Sequence, residues 1–196
     1  MCLESILSVI TVIGTILVPW CIMHKQNKIS VYDKRFAIYD LVVRIIEFGI
    51  DAKESVDKIQ SNNLTQEQLE QAYFSLWCNQ YANLYTIYKE QILNNDFKKR
   101  DVVYMEINNI IQQQCITLGS ARFLFDKKLF DYIESLRNKY RDFIGNVVNV
   151  VLGGQPYSIE KTNEFINFVV EHQDKLGLFD KYLMLEKNLF KKGVKK

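Results

Sequence analysis

Proline and glycine are scarce in this chain, 2 and 8 among 196 residues, which argues against a turn-rich β protein and against a disordered polymer. Histidine is scarcer still. With only His24 and His172, a histidine-rich metal site is excluded, and a serine or cysteine triad would have one candidate base outside the N-terminal region. Charge of one sign is also lacking: 25 Lys+Arg against 23 Asp+Glu leave +2, which excludes a strongly basic nucleic-acid binder. The four cysteines, Cys2, Cys21, Cys78 and Cys115, form no CxxC pair and no metal-ligand spacing, and read as reduced thiols, two of them in helix cores. No P-loop, GxGxxG, HExxH or GxSxG signature occurs. The expectation is therefore a non-enzyme without metal or cofactor. What is abundant is apolar surface, 48% hydrophobic and 13% aromatic residues, enough for a packed helical core in one domain with an appendage.

That apolar content is uneven. From Ser5 to Met23 runs SILSVITVIGTILVPWCIM, with no charge between Glu4 and His24. Nineteen helical residues rise about 28 Å, close to the roughly 30 Å hydrocarbon layer. The stretch before it carries no Lys or Arg, and no small-x-small cleavage site follows it, so the pattern predicts a retained single span rather than a cleaved signal. Lys25, Lys28, Lys34 and Arg35 follow the span, and by the positive-inside rule the body is expected in the cytoplasm. Trp20, Lys25 and Lys28 are the expected interface anchors, with His24 beside them. Ser5, Ser8, Thr11 and Thr15 share one arc of the helical wheel, beside Gly14. Such a stripe serves either helix–helix contact or the lining of a water-filled passage in a ring of copies.

The expected organisation is an anchor over residues 1–24 and a cytoplasmic helical domain over residues 25–196. Ile29, Tyr32, Phe36, Tyr39, Val43, Ile46 and Ile50 alternate steps of three and four, a heptad seam on a helix that can continue directly out of the span. Ile38, Leu41, Val42 and Ile45 widen its apolar face, which favours packing on the domain core over an isolated coiled coil. Thr65-Gln66-Glu67-Gln68 is a capping-box pattern opening a helix to about Leu93. A third helix is expected from Phe97 to about Leu118, and a long one from Asp126 carrying Leu129, Tyr132, Ile133, Leu136, Tyr140, Phe143, Val147 and Val150 to Gly153-Gly154. The last segment starts near Ser158 and is interrupted around Gly177. Two basic clusters, Lys98-Lys99-Arg100 and the tail Lys187, Lys191, Lys192, Lys195 and Lys196, suit solvated helix ends, anionic lipid or nucleic-acid phosphate.

The span followed by Lys28-Ile-Ser-Val-Tyr-Asp-Lys-Arg-Phe-Ala-Ile-Tyr-Asp40, with Ala121-Arg-Phe-Leu-Phe-Asp-Lys-Lys-Leu-Phe-Asp-Tyr-Ile133 later, resembles small bacterial membrane-anchored helical proteins. Among these it is similar to the membrane accessory proteins of type VI-B CRISPR systems. The resemblance implies an all-α fold, an N-terminal transmembrane helix continuing into a HEPN-like cytoplasmic bundle. It also implies a homo-oligomeric pore that depolarises the inner membrane, in contact with inner-membrane lipids and functionally linked to an RNA-guided RNA-targeting effector. HEPN nucleases carry Arg, four to six residues, then His. Here Phe165, Ile166 and Asn167 stand where that Arg would precede His172, and Asp142, Phe143 and Ile144 stand where a His would follow Arg137. A ribonuclease is disfavoured, and Asn167 with His172 is at most a remnant of the motif. The alternatives are a membrane-tethered adaptor that recruits a partner protein and a degenerate HEPN RNA-binding protein.

Overall fold

The computed structural model describes residues 2–62, 64, 65, 68, 72, 97–153 and 158–183, with side chains from residue 17 onward except in 97–104, 107 and 147–153. The described chain is all-α, as the shortage of glycine and proline and the helical periodicity predict. Its helices are α1 (Cys2–Ser61), α2 (Phe97–Gly119), α3 (Lys127–Gly153) and α4 (Ile159–His172), with 3-10 turns at Ser120–Phe123 and Gln173–Phe179. No strand occurs among the described residues. The last turn supplies the interruption expected around Gly177, and helix resumes at residues 180–183. Among the described residues no helix is long and apolar enough to cross a membrane. The side chains of residues 5–16, the larger part of the apolar run, lie outside that set, as do the body of the helix expected from Thr65 to Leu93 and the basic tail.

α1 is unbroken over 60 residues, so the helix that begins in the apolar run does continue into the body, across the expected boundary at residue 24. Pro19 sits inside it. The missing N–H leaves the Thr15 carbonyl without its usual helical donor. The core-facing stripe of α1 is Ile38, Val42, Ile45, Gly49, Ala52 and Val56, all buried, with Ile46 and Phe48 at its sides.

This corrects the seam read from the sequence. Of its members only Ile46 is buried, Tyr32, Tyr39 and Val43 are half-buried, and Ile29, Phe36 and Ile50 are exposed. Three of the four residues expected merely to widen the face, Ile38, Val42 and Ile45, form the contact together with Ile46. The two stripes differ by one residue, about 100° around the helix. The small residues Gly49 and Ala52 favour the observed one. A Cβ on Gly49 would stand 2.9 Å from Val169 Cγ1, so the missing side chain is what lets α1 approach α4.

α3 packs on α2 and α4, and α1 reaches both of those helices. α3 buries Leu129, Tyr132, Ile133, Leu136, Tyr140, Phe143 and Ile144, matching the expected face up to Phe143. Val147 and Val150 lie outside the described side chains. At the centre Phe165 of α4 stacks on Phe143, centroids 5.1 Å apart, while Phe48 of α1 lies 6.1 Å and Tyr140 5.6 Å from the same ring. One aromatic side chain thereby joins three helices, and such ring pairs add about 0.5–1.5 kcal/mol each beyond buried area.

Local signals hold the termini. Thr65 N donates to Gln68 Oε1 at 3.0 Å and Gln68 N to Thr65 Oγ1 at 3.3 Å, the reciprocal pair that the capping box predicts. Ser158 caps α4 by accepting from Lys161 N at 3.4 Å. Buried Asn146 of α3 holds that cap from behind: its amide donates to the Ser158 carbonyl and accepts from the Ser158 N–H, both at 3.0 Å.

Candidate functional site

The stretch of α1 that leaves the apolar run is exposed from Leu17 to Ser30. Its expected anchors behave as surface groups: Trp20 is 57% exposed and stacks on His24, with ring centroids 5.7 Å apart and planes 9° from parallel, and Lys25 and Lys28 project from the same bare helix. Ser5, Ser8, Thr11 and Thr15 lie on the backbone of α1, and their side chains are outside the described set. Ile29 and Phe36 continue the exposed surface toward the body, Phe36 stacking on Tyr32 at 6.2 Å.

Arg35 marks where the bare rod meets the body. The sequence places it in the basic collar that follows the apolar run, but the structure also turns it inward as a connector. Its Nε donates to the Leu124 carbonyl at 3.1 Å, and its guanidinium lies 5.1 Å from the Tyr182 ring centroid. Around this contact the loop between α2 and α3, the C-terminal segment and α1 converge. Phe125 meets Tyr182 edge-on at 4.9 Å and Phe179 at 5.3 Å, and Tyr39 of α1 meets Phe179 at 5.3 Å.

Asp126 organises the polar side of this node. One carboxylate oxygen caps α3 by accepting from Leu129 N at 3.0 Å, and the other is paired with Lys181 Nζ. The Asp126 N–H donates to the Tyr182 hydroxyl at 2.9 Å. The hydrogen bond from Lys181, joined by that of Leu129, holds the Asp126 carboxyl down at about 2, and the same contact raises Lys181. Sequence reasoning missed this node because its members come from three separated segments. The nearest local signal was Asp126 standing three residues before Leu129 at a helix start.

The two residues set beside the HEPN motif have different surroundings. Asn167 is exposed on α4, whereas His172 is half-buried: its Nδ1 lies 3.0 Å from the Phe168 carbonyl and its ring stacks on Phe168 at 4.4 Å. Since a carbonyl only accepts, that contact places the proton on Nδ1. The His172 carbonyl accepts from Tyr132 at 3.3 Å, a phenol whose ionisation burial pushes well above its usual range. His172 ties α4 to α3, a role in packing. Among the described residues no group of three or more His, Cys, Asp or Glu could hold a metal ion. Cys21 is exposed and Cys115 partly buried, both free thiols. No family model, curated protein or solved structure matches this chain.

Proposed function

We propose that the chain is a single-span inner-membrane protein whose HEPN-like cytoplasmic bodies bring copies together into a pore, raising membrane permeability in support of RNA-guided antiphage defence of the type VI-B kind. The observation that carries this reading is the continuity of α1, 60 residues and about 90 Å of helix, three times the thickness of a hydrocarbon layer. The apolar run and the stripe that packs into the body lie on one continuous helix.

A lone span cannot enclose water, because lipid leaves polar backbone and side chains without partners, so several copies must turn their hydroxyl arcs inward. Thr11 and Thr15 belong to that arc, and the Thr15 carbonyl freed by Pro19 adds an acceptor at the same level. Below the span, the exposed Ile29 and Phe36 give neighbouring copies an apolar stripe at heptad spacing.

The test replaces Thr11 and Thr15 together with Leu. Ion leakage from cells or proteoliposomes should be abolished while expression and insertion persist; unchanged leakage removes the pore reading.

The exposed Ile29 and Phe36 also favour a second reading, a tethered adaptor whose apolar stripe takes another protein and whose span only anchors it. Exchanging residues 5–23 for an unrelated apolar helix separates the two. An adaptor keeps its defence phenotype after the exchange, and a pore loses it.

A further inference from the structure

An open cleft of about 690 Å³ lies on the side of the body built by the end of α2, the 3-10 turn at Ser120–Phe123 and the outer face of α3. Three guanidinium groups line it, Arg122 from the turn and Arg137 and Arg141 one helical turn apart on α3. Glu134 is the one carboxylate in the lining, and it is engaged with Arg137 at 3.2 Å. Asp142 stands 3.6 Å from Arg141, both side chains more than half exposed, a weak solvent-screened pair. The lining therefore carries a surplus of positive charge in a chain that is close to neutral as a whole.

The arginines are not simply dispersed over a solvated face. Arg137 keeps only 23% of its side-chain surface exposed, and its Nη1 lies where a Cβ on Gly119 would meet it at 3.1 Å, so a glycine makes room for this guanidinium. At the lip Phe123 is 76% exposed, the most exposed large hydrophobic side chain described, with the Arg122 guanidinium 4.7 Å from its centroid. Flat apolar ring, planar cations and concavity occur together. Guanidinium groups match phosphate oxygens in paired hydrogen bonds, and an open aromatic face takes a nucleobase by stacking.

We propose that this cleft binds a nucleotide, its phosphates on Arg137 and Arg141 and its base on Phe123 beside Arg122. The volume falls in the range of small-ligand sites and holds one or two nucleotide units. An anionic bilayer surface would engage a flat or convex basic face and would have no use for a single ring at the lip of a concavity. The site goes beyond the pore reading and does not depend on it.

Titration calorimetry on the full chain in detergent micelles tests the assignment, with ATP, AMP, a uridine decanucleotide and inorganic pyrophosphate as probes. ATP should bind saturably, and both Phe123→Ala and Arg141→Gln should weaken it about tenfold or more while the melting temperature stays unchanged. Phe123→Trp should retain affinity, since it keeps the stacking face. Raising the salt concentration should weaken binding. Tighter binding of the decanucleotide than of ATP identifies a single strand as the source of the nucleotide, and the reverse order identifies a free nucleotide. Pyrophosphate binding as tightly as ATP, affinity indifferent to both substitutions, no saturable binding, or attraction only to phosphatidylglycerol vesicles would each overturn the proposal.

Discussion

Asp126 shows how much one exposed side chain can join. Its carboxylate caps α3 and holds Lys181, while its backbone N–H holds Tyr182, so the start of α3 and the C-terminal segment meet on one residue. Its carboxyl is depressed from 3.8 to about 2, the Lys181 hydrogen bond being the largest cause and Leu129 the next. A folded-state value below the unfolded one means stability that is fully present above about pH 4 and is lost as pH falls through about 2. Asp126→Asn keeps an oxygen for the cap and removes the charge. Thermal melting should therefore be lower for the variant at pH 7, and the gap from wild type should close progressively between about pH 4 and pH 2. A gap that is constant over that range would assign the whole effect to shape and none to charge.

Among the elements, α1 and α4 are held by a close approach. Gly49 faces Val169, and an added Cβ would lie 2.9–3.0 Å from three carbons of that side chain. Val169 is itself buried in the core, so the contact must be relieved by a shift of packed atoms. Gly49→Ala should cost roughly 1–3 kcal/mol of stability, less whatever Ala contributes to helix propensity. Adding Val169→Ala should recover part of the loss, a coupling that a double-mutant cycle on chemical denaturation reads directly. The same contact explains what the sequence could and could not reveal. The ends of α2 and α3, the Ser158 cap and the Thr65–Gln68 box depend on residues within a few positions of one another, and each was legible locally. The buried face of α1 was not. Val42 beside Val43 and Ile45 beside Ile46 satisfy two helical stripes equally well, and the choice was made by Gly49 meeting a residue far along the chain. The inward contact of Arg35 is hidden for the same reason, since its partners Leu124 and Tyr182 are supplied by the fold.

For the whole molecule, the proposed pore makes α1 a mechanical link between a membrane span and the body, not a mere connection. From Leu17 to Ser30 the helix is bare, and Arg35 ties it to the body just before the buried stripe that starts at Ile38. Under the proposed pore reading, an unbroken helix carries the rotation of the span into the body, so the body's packing would set which arc of the span faces a neighbouring copy. A flexible joint would release that constraint without touching either end. Inserting Gly-Ser-Gly-Ser between Gln26 and Asn27 should leave insertion and the melting of the body intact and abolish leakage, because a Gly/Ser linker transmits no rotation. Inserting seven helix-forming residues at the same place lengthens the rod by about 10 Å but returns the register to within roughly 20°. Leakage should survive that change. Leakage that survives the flexible insert as well would mean that the spans find their arrangement in lipid unaided, and the length of α1 would then serve only to hold the body away from the bilayer.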